Sequence, residues 1–143
     1  MLHSPSHVSL ESALAHHGLI PEAVYQVASV TSSRSRTFNT SVGIFSFKRV
    51  PAVNPRAGVR AHKIDGRSWT FVATPLRAIA DLIYTRKEVS WEKDGLVFLT
   101  ESMRIERDDL ENMSFESLSE VSGSLRDRRT ADYLRNLFQE LRK

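Results

Sequence analysis

The pair Thr74-Pro75 divides the chain into two periodicities, and that change constrains the fold more than any other feature of the sequence. Before it, short β-branched and aromatic runs alternate with polar residues and end in turn signals. After it, apolar residues recur at helical spacing. Threonine is a favoured capping residue and proline is favoured at the first helical position, so a helix is predicted to start here. Leu76, Ile79, Ala80 and Ile83 form its buried stripe. Further helices are predicted over about 91–103, 114–123 and 127–142. In the last of these Ala131, Leu134, Phe138 and Leu141 are spaced like the seam of a helical pair. Asp127 opens that helix and Arg142 and Lys143 close it, in agreement with the helix dipole.

The first half begins with a short helix, predicted over 9–17. Ser9 is its N-cap, Glu11 lies in its first turn, and Leu10, Ala13, Leu14 and His17 fall on one stripe. Gly18 and Pro21 end it. Strand-like runs follow at 24–30, 36–40 and 43–50, with a polar turn at 31–36 and Phe45 and Phe47 on one face. VRAHKID and RSWTFVA then flank Gly66 as the arms of a hairpin. The expectation is an α+β domain in which four or five antiparallel strands pack against a helical second half. One domain is expected over 1–143, with a flexible tail at 1–8, helix, sheet and helix over 9–90, and a helical portion over 91–143.

The sequence has no cysteine, which removes disulfides, thiolate metal sites and a cysteine nucleophile. No signal peptide and no membrane-spanning run is found, so a soluble, cytoplasmic protein without a membrane partner is expected. The net charge of +3 hides an asymmetry. Residues 1–73 carry eight Lys/Arg against three acids (Glu11, Glu22 and Asp65), whereas 74–143 carry twelve against fourteen. The asymmetry suggests a polyanion partner for the first half, and a different partner, or none, for the second.

Three segments resemble one family, in order and at about the right separations. SLESALAHHGLIPE (9–22) resembles the opening of the AbiEi antitoxin C-terminal domain, SVTSSRSRTFNTSVGIFSFKRV (29–50) its hairpin, and FVATPLRAIADLIY (71–84) the start of its following helix. Together they cover about half of the chain. The resemblance implies an antitoxin and transcriptional regulator of a bacterial toxin–antitoxin system, without catalysis of its own. Its implied partners are a nucleotidyltransferase-like toxin and promoter DNA. Such proteins join an N-terminal winged helix to this domain. The chain enters almost at the first motif, so the DNA-reading winged helix is expected to be missing from it. Leu76-Arg77 stands where the family often has Glu-Lys, which reads as a difference at the surface.

The candidate nucleic-acid contacts are Arg34, Arg36, Lys48, Arg49, Arg60, Lys63 and Arg67, with Arg56 in the same basic set. Guanidinium and ammonium groups neutralise phosphates without reading sequence. A solvated sheet face with charged edges is the alternative. Phe38, Phe45, Phe47, Trp69 and Phe71 are expected to be core residues beneath the helices, with base stacking as the lesser alternative. His16 and His17 are adjacent and point about 100° apart, and His3 and His7 flank Pro5, so no metal site is expected. His17 reads as a core histidine with a satisfied nitrogen. No catalytic motif is present, and no catalytic residue or cofactor is expected. Asp65 invites comparison with a nuclease strand, making a small nuclease one alternative function. Asp108, Asp109 and Glu111 read as an exposed helix start. A homo-dimer joined along 131–141 is the other alternative.

Overall fold

The computed structural model describes residues 6–20, 26–40, 43–63, 66 and 69–143. Among them six strands form one sheet: β1 (Ser6–Val8), β2 (Gln26–Thr31), β3 (Arg36–Thr40), β4 (Gly43–Arg49), β5 (Val59–Lys63) and β6 (Trp69–Ala73). Their spatial order is β3-β4-β2-β1-β6-β5. The helices are α1 (Leu10–His16), α2 (Pro75–Thr85), α3 (Trp91–Asp94), α4 (Arg107–Glu111), α5 (Leu118–Leu125) and α6 (Arg128–Leu141), with a π-helical turn at Phe98–Ser102. The protein is α+β, as its two periodicities predict.

The sheet differs from the expected antiparallel sheet of four or five strands. It is mixed, because β2 pairs with β4 and β1 with β6 in parallel, while β1–β2, β3–β4 and β5–β6 are antiparallel. The serine-rich turn causes the first departure. Residues 32–35 pass across the end of β4 and place β3 on its far side. There the Ser35 hydroxyl accepts from the Arg49 amide at 2.8 Å, and the Val50 amide donates to the Thr31 carbonyl at 2.9 Å. The second departure is β1. Ser6–Val8 falls in the expected flexible tail, yet it lies between β2 and β6 in the middle of the sheet. Three residues are too few to show alternation, so only partners on both sides define this strand.

In α1 the Ser9 backbone is extended as an N-cap requires, but its hydroxyl does not cap the helix. It donates to Asp81 instead, at 2.6 Å. Gly18 takes the left-handed conformation expected after the helix, with φ 77°. In α2 the Thr74 side chain accepts from the Arg77 amide and Pro75 occupies the first turn. The predicted stripe is buried, but so are Arg77, Ala78, Asp81 and Leu82. Helix α2 is therefore the central rod of the molecule rather than a helix with one wet face.

The second half wraps this rod in shorter pieces than predicted. The span 91–103 breaks at Gly95 into α3 and the π-helical turn. Arg129 of α6 anchors the wrap, donating to the Arg86 and Val89 carbonyls through Nη1 and to the Tyr84 carbonyl through Nη2. These carbonyls belong to the last turn of α2 and to the segment just beyond it. The Tyr133 hydroxyl donates to the Gly95 carbonyl at 2.7 Å, and burial, followed by the charge of Asp94, pushes its pKa up. The predicted α6 seam is displaced by about one residue. Thr130, Tyr133, Leu134 and Leu137 are buried in the core, while Ala131, Phe138 and Leu141 are only partly covered. Asp108, Asp109 and Glu111 are exposed on α4, as expected.

Gly58 fits α2 against α5. Its φ is 68°, and a Cβ there would stand 2.7 Å from Val121 Cγ2 and 2.8 Å from Arg77 Cβ. No other residue type fits without displacement. The adjoining loop is pinned by Ser124, whose hydroxyl accepts from the Asn54 amide and donates to the Asn54 carbonyl.

Candidate nucleic-acid interface

Strands β3 and β4 form a ribbon at one end of the sheet. Every residue of β3 is exposed, so no helix covers this end. Paired residues in a sheet share a face. The register therefore places Arg36 and Phe38 of β3 beside Phe47 and Phe45 of β4, and Val27 of β2 next to Phe45. The Arg36 guanidinium stands 5.4 Å from the Phe38 ring centre and 5.5 Å from that of Phe47, and the two rings meet edge-on at 6.1 Å. A cation over aromatic faces is attracted by their quadrupole, which holds this arginine without neutralising it. Arg49 shares that face, Lys48 occupies the opposite one, and Arg34 lies in the preceding turn, all three exposed. Between Glu22 and Asp65 the sequence has no acidic residue.

The predicted basic set is not one patch. Arg60 and Lys63 lie on β5, at the other edge of the sheet. Five strand intervals separate β3 from β5, roughly 24 Å. Arg60 falls on the Phe47 face and Lys63 on the reverse, following the register from Phe47 through Ser29, Val8 and Val72. Arg56 serves the fold: Nη1 donates to the Ser6 carbonyl at 2.8 Å, and the guanidinium sits 3.7 Å from the Phe71 ring centre. Burial, and then the nearby Arg77 charge, draw its pKa down. Arg67 lies outside the described residues, as do Asp65 and His3.

The aromatic residues overturn the expectation of a core beneath the helices. Phe38 is 46% exposed, Trp69 60% and Phe71 40%, while Phe45 and Phe47 are half-buried. Trp69 and Phe71 point to the reverse face at the β5–β6 end, with Lys63 5.9 Å from the Trp69 ring centre. The alternation correctly gives the faces. It does not say which face a helix covers.

One charged cluster escaped the sequence reading. Arg77, expected at the surface, is 1% exposed, and its Nε donates to Asp81 Oδ1 at 2.9 Å. Its Nη1 donates to the Pro55 and Ala57 carbonyls. Asp81 Oδ2 accepts from Ser9 Oγ and from His7 Nε2, the latter at 2.9 Å. Burial alone would raise the Asp81 pKa, but Arg77, His7 and Ser9 together hold it below the ordinary carboxylate value. The residue types are those of a nucleophilic triad, but the connections are not. Serine and histidine both donate to the carboxylate, the hydroxyl has no histidine acceptor, and Ser9 is fully buried. The cluster instead ties β1 and the start of α1 to α2. The i,i+4 spacing of Arg77 and Asp81 inside an otherwise apolar helix is the signal that marks it.

The histidines also gather. The His62 ring centre lies 5.1 Å from that of His16 and 6.4 Å from that of His17. His17 is half-buried and donates from Nε2 to the Ala73 carbonyl at 2.8 Å, so it has the expected satisfied nitrogen at the edge of the core. Burial lowers its pKa, the Ala73 bond opposes this, and His16 and His62 add to the lowering. Among the described residues no group of three or more histidines and acids could hold a metal ion. Nor is any helix there long and apolar enough to cross a membrane. No family model, no curated protein and no solved structure matches this chain.

Proposed function

We propose that this chain is a binding module of the antitoxin-regulator type, which grips the phosphates of promoter DNA through the β3–β4 ribbon. The observation that carries this reading is Arg36, placed against two phenylalanine rings on an exposed ribbon whose sequence has no acid. Arg49 shares its face, Arg34 lies in the turn before it and Lys48 extends the basic surface on the opposite face, while β3 is the open edge of the sheet, where a phosphate backbone can approach. Such contacts position a backbone and carry little sequence information.

The toxin partner rests on the resemblance of three motifs to the AbiEi antitoxin domain. The mildly acidic helical half suits a basic, nucleotidyltransferase-type toxin, and α3 and α6 offer it a cleft edged by Trp91, Arg128, Asp132 and Asn136. Occlusion of the toxin needs no chemistry from this chain.

The test is the salt dependence of duplex binding. Replacing Arg34, Arg36, Lys48 and Arg49 together by alanine is expected to reduce the slope of log K against log salt by about 3 to 4, at about 0.9 per lost phosphate contact. An unchanged slope removes the nucleic-acid role of the ribbon.

A further inference from the structure

We infer that the Arg36–Phe38–Phe47 face of the ribbon is a stacking platform for the unpaired bases of single-stranded RNA. This deepens the phosphate-binding reading of the same ribbon and rests on it. Phosphate contacts account for the cations, and the rings steady Arg36, but neither explains why Phe38 also leaves much of its own surface open to solvent. Phe38 is 46% exposed on an edge strand that no helix covers, although burial beneath a helix is the usual fate of a large aromatic side chain. It is one of a group on one face: Phe38 meets Phe47 edge-on at 6.1 Å, and Phe45 and Val27 continue the face inward.

Charge selects the occupant. A second copy docking ribbon to ribbon, or an apolar partner helix, would have to desolvate Arg36 and Arg49, and the segment between Glu22 and Asp65 brings no carboxylate to answer them. A single strand supplies both complements at once, phosphates for the cations and π faces for the rings. The sheet surface also separates strand from duplex. Rings on a flat face meet bases only where those bases are outside a stack, which is the ordinary condition of loops and ends in RNA and not of duplex DNA.

The experiment is fluorescence anisotropy with the full chain at one salt concentration. The probes are a ten-nucleotide oligouridylate, oligothymidylate of equal length, and a twenty-base-pair duplex. The expected result is RNA bound at least as tightly as the thymidylate and about tenfold more tightly than the duplex. Phe38→Leu, which keeps the apolar bulk and removes the π face, is expected to weaken RNA binding by roughly tenfold. Duplex affinity should stay within about twofold, and Phe38→Tyr should restore RNA binding. An unchanged RNA affinity in Phe38→Leu overturns the platform, as does a duplex bound as tightly as RNA. Thymidylate bound tenfold more tightly than uridylate overturns the choice of RNA. A dimer in sedimentation that Phe38→Leu dissolves gives the face to a second copy and overturns the proposal. Stacking alone fails if Phe38→Leu is silent while the quadruple basic variant still weakens every probe. The phosphate reading fails with it if that variant is silent too.

Discussion

Arg77 and Arg36 carry the same guanidinium in opposite surroundings. Arg77 is 1% exposed, and its Nε and Nη1 donate to Asp81 and to two carbonyls of the loop before β5. Arg36 is exposed and lies over two rings, in a stretch of sequence without acids. The first has committed its hydrogen bonds to the fold and has little left for a ligand. The second does little for the fold and keeps its charge available. Damage to the interior should therefore lower stability wherever binding is measured, and damage to the ribbon should lower binding with stability intact.

The largest effect is expected at Asp81. Asp81→Ala strands Arg77 as a buried, unanswered charge and removes the acceptor of Ser9 and His7. Breaking such a pair costs about 3–5 kcal/mol, readable as a lower urea midpoint. A loss below about 1 kcal/mol would mean that the cluster does not organise the interior. The same carboxylate predicts the behaviour in acid. Its pKa in the folded chain lies below the ordinary 3.8, so its contribution is complete at neutral pH. That contribution declines only as the pH falls below about 4 toward the folded value. Asp81→Asn should flatten that acid limb. A limb equally steep in the variant would assign acid unfolding to other carboxylates.

Gly58→Ala should come next, through geometry and not charge. The added methyl meets Val121 and Arg77 under 3 Å, on a backbone with φ 68° that disfavours a side chain. Overpacking of this kind costs about 1–3 kcal/mol. A Gly123→Ala control has open space around its Cβ and should cost nothing of the sort. Equal losses in both variants would show that the α2–α5 contact is not what requires the glycine.

The unequal legibility of these two regions in the sequence has a physical cause. Local rules found β3, β4 and the β5–β6 hairpin, because turn chemistry and alternation act over a few residues. They also found the start of α2, where Thr74 and Pro75 sit as a helix end demands. They missed β1, since three residues are a strand only by virtue of two neighbours. They missed the parallel pairings, which alternation does not encode. Arg77 read as a surface residue because stripe reasoning gives charged positions to solvent, and only the convergence of His7, Ser9 and the 55–57 carbonyls reverses that. For the ribbon, the basic and aromatic residues were visible one by one. The distance from Arg36 to Lys63 across the sheet was not, nor was the fact that the helices cover α2 and the middle of the sheet while leaving β3 bare.

The smallest effect on stability is expected from the largest change of charge. Replacing Arg34, Arg36, Lys48 and Arg49 by alanine removes four exposed cations, and no salt bridge with a described acid is lost with them. Exposed substitutions of this kind typically cost within about 0.5 kcal/mol each. Removing like charges from one ribbon also relieves mutual repulsion and offsets part of that loss. Arg36→Ala alone forfeits its contact with Phe38 and Phe47, worth about 0.5–1 kcal/mol at an exposed site. A thermal midpoint within a few degrees of the parent, beside a clear loss of affinity, keeps the two regions distinct. A drop as large as that of Asp81→Ala would mean the ribbon's cations hold the sheet together, and the contrast between Arg77 and Arg36 would dissolve.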